Sequence, residues 1–247
     1  MSSSSTHSAF RARLSEALTT EQYFEQMNKT DKKRRQRGFE SSNCRRSFEE
    51  HVRLLMPDES AFLQSLLDEV SKLLRSWKEL LALLTKTEFL VFYQPGEFEY
   101  PHTHAYFVML PESWLRDGMS RSSRDNVDGM VKTIVHELIH IFQRFNPCET
   151  HVFLTKVLGV KLSGTRSKPS ESTRNSNNRS NPDVNHNLYI DESGVHISSE
   201  YKSDADNDTR DSRDHPFEMM AYDLADVLTG EVQPSSDVMR WMVHYFM

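Results

Sequence analysis

Apolar side chains recur at spacings of three and four along residues 58–84: Phe62, Leu63, Leu66, Leu67, Val70, Leu73, Leu74, Trp77, Leu80, Leu81 and Leu84. Charged residues fill most of the opposite face, so the spacing predicts one amphipathic helix over 58–84, with Asp58 or Ser60 as its cap after Pro57. The apolar stripe is wider than a coiled-coil seam and suits packing on a sheet or another helix. A second helix is predicted over 126–144, where Met130, Val131, Ile134, Val135, Leu138, Ile139, Ile141 and Phe142 leave little of the surface polar. A helix that is apolar on most sides is central to its domain. Asn146-Pro147 ends it.

Between these two segments the period changes. "EFLVFYQ" (88–94) and "HAYFVMLP" (104–111) are rich in β-branched and aromatic residues and predict two strands. Pro95-Gly96 turns the chain after the first, and Pro111 stops the second. Residues 116–125 are polar and Arg-rich and read as a loop. Shorter helices are predicted over 9–28 and 149–159, and a last clear one in "DHPFEMMAYDLADVL", with Asp214 as N-cap and Pro216 in its first turn. "NLYI" (187–190) and "VHISSEY" (195–201) predict two short strands.

Two stretches break the pattern. Residues 163–183, "SGTRSKPSESTRNSNNRSNPD", hold almost no large apolar side chain. Burial cannot offset the entropy of ordering them, so they predict a mobile insertion remote from the core. "SDADNDTRDSRD" (203–214) is a second polar loop. The pattern therefore predicts an α+β chain: an N-terminal helical and basic extension over 1–57, and a main domain over 58–247 carrying the insertion.

Composition narrows the chemistry. A formal net charge of −6 over 247 residues argues against general coating of nucleic acid. "DKKRRQRG", with five basic residues from Lys32 to Arg37, leaves a local nucleic-acid contact, a nuclear-import signal or a solvated basic linker open. Cys44 and Cys148 are the two cysteines, too few for a disulfide framework or a Cys-rich zinc finger. Any metal must then be held by histidine and carboxylate. The absence of an apolar leader and of a run of about 18 apolar residues predicts an intracellular chain, cytoplasmic or nuclear, with no membrane span.

"VHELIHIFQRFNP" (135–147) carries the candidate chemistry. His136 and His140 lie one helical turn apart, about 6 Å along the axis at 1.5 Å per residue. Both imidazoles can reach one tetrahedral zinc ion, and Glu137 stands beside it to take a proton from water. The alternative is a pair of histidines hydrogen-bonded in a core. On so apolar a helix, polar groups without partners are costly.

With "HELIH" the chain resembles the zincin metallopeptidases over about residues 85–235. That resemblance implies a small sheet above an active-site helix, an edge strand that holds a peptide or protein substrate extended, and Glu137 as general base. A catalytic zinc takes three protein ligands and keeps one position open. Metzincins take a third histidine six residues after the second. Asn146 stands at that position and Gln143 at the family's glycine, so this is not that pattern. His151, eleven residues after His140, is the other candidate, of the kind that serves as a ligand in SprT-like proteases, at a shorter spacing than theirs.

Glu218, early in the "DHPFEMMAYDLAD" helix, is similar to the third ligand of gluzincins. Its Glu-x-x-Ala pattern resembles the third-ligand helix of one gluzincin group, with Tyr222 where that group has aspartate and Asp223 one place off. The resemblance thus implies one Zn²⁺ on His136, His140 and Glu218. His102, His104, Tyr189, Tyr201 and Tyr222 are candidates to stabilise an oxyanion. Asp223 and Asp226 are candidates to orient a ligand histidine. A non-catalytic zincin-like binding module and a DNA-associated SprT-like protease are the rival functions.

Overall fold

A computed structural model of the chain describes residues 3–21, 48–93, 100–121, 123–165, 187–194, 196–197 and 215–247. The basic run 32–37, Cys44, Tyr201, Asp214 and most of the predicted insertion and second polar loop lie outside the described residues. The fold is α+β. In chain order its elements are α1 (Ser3–Glu21), β1 (Val52–Arg53), α2 (Pro57–Leu73), α3 (Lys78–Lys86), β2 (Glu88–Phe92), β3 (His102–His104), β4 (Phe107–Pro111) and α4 (Glu112–Ser120). There follow α5 (Arg124–Phe145), α6 (Pro147–Lys156), β5 (Lys161–Thr165), β6 (Asn187–Ile190), β7 (His196–Ile197), α7 (Pro216–Thr229) and α8 (Ser236–Phe246).

One mixed sheet has the order β1-β2-β4-β3, with β2 and β4 parallel and the outer pairs antiparallel. A second, antiparallel sheet has the order β5-β6-β7. The pleat of the first sheet sorts its side chains between two cores. Val91, Val108 and Leu110 face the main core with α2, α3, α5, α7 and α8. Leu90, Phe92, Phe107 and Met109 face a second core built from Phe10, Leu14 and Leu18 of α1 with Phe48. Burial on both faces explains why these strands read as continuous apolar runs rather than as alternation. β1 and α1, from the predicted extension, thus complete the sheet and cover its second face.

Several elements differ from the sequence reading. The helix predicted over 58–84 is two helices, broken at 74–77, where the Trp77 amide donates to the Leu74 carbonyl at 2.8 Å. Both helices pack on one core, so the apolar spacing runs through the break without a signal. The Trp77 ring meets Phe246 of α8 edge-on at 6.4 Å, a contact that only the fold supplies. The cap of α2 is Met56, not Asp58 or Ser60, with Pro57 in the first turn. The Met56 amide donates to the Glu59 carboxylate at 2.8 Å. The strand predicted over 104–111 is a hairpin, β3 and β4, turning at Ala105-Tyr106 with Ala105 at φ 48°. Most of the loop predicted over 116–125 is helical: 116–120 belong to α4 and 124–125 to α5. Residues 163–165 of the predicted insertion belong to β5. The C-terminal helix α8 carries no mark in the sequence reading. Among the described residues, no helix is long and apolar enough to cross a membrane.

Candidate metal centre

Two helices build the site. α5 starts at Ser123, whose hydroxyl accepts from the Asn126 amide, and stops at Asn146 before Pro147. Its buried side chains Ile134, Val135, Leu138 and Ile139 put it at the centre of the main core. α7 is capped by His215, not by the expected Asp214. Its Nδ1 accepts from the Phe217 amide at 3.1 Å, and Pro216 opens the first turn. Gly230, at φ 80°, ends α7 in the left-handed conformation that favours glycine. Met220, Ala221 and Leu224 are fully buried in the same core as α5.

The cross-links between α5 and α7 run antiparallel. Gln143 meets the Phe217 carbonyl, His140 and His136 meet Glu218, and Lys132 meets Asp226. This register brings His136, His140 and Glu218 together, with all ligand atoms within 4.8 Å of one another. The edges of the triangle are short. His136 Nε2 lies 2.9 Å from His140 Nε2, and Glu218 Oε2 lies 3.3 Å and 3.5 Å from the two. Bond lengths of about 2.0–2.1 Å around a tetrahedral zinc give ligand–ligand edges of about 3.3 Å. The donor set therefore fits a metal ion.

The two histidines keep the Glu218 carboxyl in its ionised form. Burial by itself pushes the Glu218 carboxyl up. The charge on His140 and hydrogen bonds with both histidines outweigh that and hold it well below the usual carboxylate range. Two neutral-capable imidazoles and one carboxylate thus converge. The His140 side chain is 1 % exposed, whereas those of His136 and Glu218 keep 12 % and 11 %, so the cluster opens to solvent on their side. Tyr222 stands on that side: it is 43 % exposed, and its ring centroid lies 4.5 Å from that of His136. Glu137, the next residue after His136, is buried.

The structure separates the other candidates. His151 is exposed on α6 and is not part of the cluster. Asn146 donates its side-chain amide to the Phe142 carbonyl, capping α5. His102 and His104 point to the far face of the sheet, where both rings pack on Phe48 at 6.1 Å and 5.5 Å. Alternation along β3 sends only Thr103 toward α5, where Arg144 donates to its hydroxyl at 2.9 Å. Neither histidine can serve an oxyanion at the cluster. Tyr189 is buried against the His215 ring at 5.5 Å. Asp226 is buried and pairs with Lys132 at 2.6 Å, and Lys132 also reaches Glu231 at 2.6 Å.

Gln143 is the residue that sequence reasoning passed over. It is buried, its Oε1 lies 2.8 Å from His140 Nδ1, and its Nε2 donates to the Phe217 carbonyl at 2.8 Å. Its spacing of three from His140 was a visible signal, because residues three apart share a helix face.

No family model, no curated protein and no solved structure matches the chain.

Proposed function

We propose that the chain is a zinc-dependent peptidase of gluzincin type, holding one Zn²⁺ on His136, His140 and Glu218. The observation that carries this reading is the triangle of ligand atoms, with edges of 2.9, 3.3 and 3.5 Å, closed by a helix 78 positions away in sequence. Two histidines and one carboxylate would hold the ion with three protein ligands, the donor count of a hydrolytic rather than a purely structural site. When bound, the zinc supplies Lewis acidity, activating a water and polarising a carbonyl.

The chain's own residues do the rest. Glu137 takes the proton of the attacking water and passes it to the leaving amine. Tyr222, against His136 at the exposed side, is the oxyanion candidate that the fold brings to the cluster. The small mixed sheet lies beside α5, and its edge strand β3 is gripped by Arg144 from the last turn of that helix. This arrangement supports the zincin reading and a peptide substrate. The catalytic domain is 58–247, and the 1–57 segment contributes β1 to its sheet and α1 to the cover of the sheet's second face.

Metal analysis and hydrolysis of an unstructured protein test the reading together. About one zinc per chain is expected in the wild type, lost in His136→Ala and in His140→Ala. Glu137→Gln is expected to keep the metal and lose hydrolysis, because an amide cannot accept the proton. Full zinc occupancy in both histidine variants would overturn the site. Zinc retained with no hydrolysis by the wild type would leave a binding module.

A further inference from the structure

We propose that Gln143 is a positioning residue that sets the tautomer of His140 and the seat of Glu218 at once, an inference that rests on the zinc reading above. The Phe217 backbone carbonyl can only accept a hydrogen bond. The atom of Gln143 that lies 2.8 Å from it must therefore be the side-chain NH₂. The other end of the same amide, Oε1, then faces His140 Nδ1 at 2.8 Å. An amide oxygen only accepts, so Nδ1 must carry a hydrogen. That leaves Nε2, the nitrogen turned toward His136 and Glu218, as the metal-binding atom.

The reversed amide is excluded. It would press two carbonyl oxygens together at 2.8 Å and turn NH₂ toward His140 Nδ1. The imidazole hydrogen would then move to Nε2, the tautomer that cannot bind the metal there. Gln143 is 2 % exposed and His140 1 %, so solvent does not substitute for either bond. The second bond acts on the other ligand. The Phe217 carbonyl belongs to the peptide group that leads into Glu218, so the amide holds the backbone of the third ligand against α5. One side chain thus couples two ligands from different helices. Only an amide of this length offers a donor and an acceptor side by side: leucine offers neither, an ionised glutamate offers acceptors only, and asparagine is one methylene shorter.

The test compares wild type, Gln143→Leu and Gln143→Glu by zinc competition against a chromophoric chelator, by melting of the metal-free protein, and by imidazole ¹⁵N–¹H correlation spectra of the zinc-loaded form. In the wild type, His140 is expected to bind through Nε2 and to show a slowly exchanging Nδ1 proton. Gln143→Leu is expected to weaken zinc binding about 10- to 100-fold. Gln143→Glu keeps an acceptor for Nδ1–H and loses the donor to Phe217. Its affinity is expected to stay above that of Gln143→Leu while its metal-free melting temperature still falls. A purely structural role would make affinity follow melting temperature in both variants. Zinc affinity of Gln143→Leu within about twofold of the wild type, or coordination of His140 through Nδ1, would overturn the proposal. If Gln143→Leu does not fold, the wild-type spectrum and Gln143→Glu decide. A wild type that binds no zinc overturns the zinc reading itself. The Gln143 proposal is then decided in the metal-free protein: a slowly exchanging His140 Nδ1 proton that is lost in Gln143→Leu supports it, and its absence from the wild type overturns it.

Discussion

Replacing Glu218 by aspartate asks whether the third ligand lies 78 residues beyond the histidine pair or nearby at His151. The side chain shortens by about 1.5 Å, against a tolerance of about 0.2 Å in zinc–ligand distances. Glu218 Oε2 now lies 3.3 Å and 3.5 Å from two nitrogens that are themselves 2.9 Å apart. Drawn straight back by that length, the oxygen would stand about 4.8 Å from each, well outside the edge of about 3.3 Å that a tetrahedral ion requires.

The helix cannot follow cheaply. Gln143 ties α7 at Phe217, Lys132 ties it at Asp226, and Met220, Ala221 and Leu224 are packed between. Binding of about 10–16 kcal/mol over four ligands is about 2.5–4 kcal/mol per ligand, so Glu218→Asp and Glu218→Ala are expected to weaken zinc about 100- to 1000-fold. His151→Ala is expected to bind as the wild type does. The assay is competition with a chromophoric chelator at fixed pH. Glu218→Asp and Glu218→Ala within about threefold of wild type, with His151→Ala losing the metal, would refute the gluzincin geometry in favour of the SprT-like one.

The Glu59 carboxylate accepts from Arg53 at 2.7 Å and 2.8 Å and from the Met56 amide at 2.8 Å, joining β1 to the start of α2. Removing it leaves Arg53, whose side chain is 21 % exposed, partly resolvated, so Glu59→Gln is expected to cost about 2 kcal/mol, read as a fall of about 4–8 °C in melting temperature. The guanidinium of Arg53 lowers the Glu59 carboxyl below its ordinary 4.5, despite an opposing push from burial. A depressed folded-state value means stability that is fully present above the unfolded value and is lost as pH falls through the folded one. The gap between wild type and Glu59→Gln should therefore hold from pH 7 to about 5 and close toward pH 2, and a gap independent of pH would refute this. Thr165 pairs with Asn187, so replacing 168–184 by a short Gly/Ser bridge closes a hairpin, and chemical denaturation is expected to change by less than about 1 kcal/mol. Ala105 sits at φ 48°, where a side chain is strained, so Ala105→Gly is expected to stabilise the hairpin by about 0.5–1 kcal/mol in the same assay.

What the sequence determined by itself is local. Spacing of four places His136 and His140 on one face of a helix, and the apolar residues around them make that helix central, as Ile134, Val135, Leu138 and Ile139 are. The β-branched and aromatic runs mark β2 and β4, and Asn146-Pro147 marks the end of α5. Periodicity reports that a face is buried, not what covers it. For that reason the break at 74–77 left no trace in a stripe that stays on one core, and the faces of β3 were undecidable until Phe48 and α1 occupied the side where His102 and His104 point.

Only the tertiary structure decided the register of α7 on α5. The 78 positions from His140 to Glu218 carry no distance information, so the resemblance to gluzincins nominated Glu218 and packing placed it. The same holds for Gln143. Its place in the sequence shows that it shares a face with His140, but its orientation depends on the Phe217 carbonyl of another helix. Hydrogen-bond direction between elements far apart in the chain is settled by which donors and acceptors the packed helices bring face to face, and no local pattern encodes that.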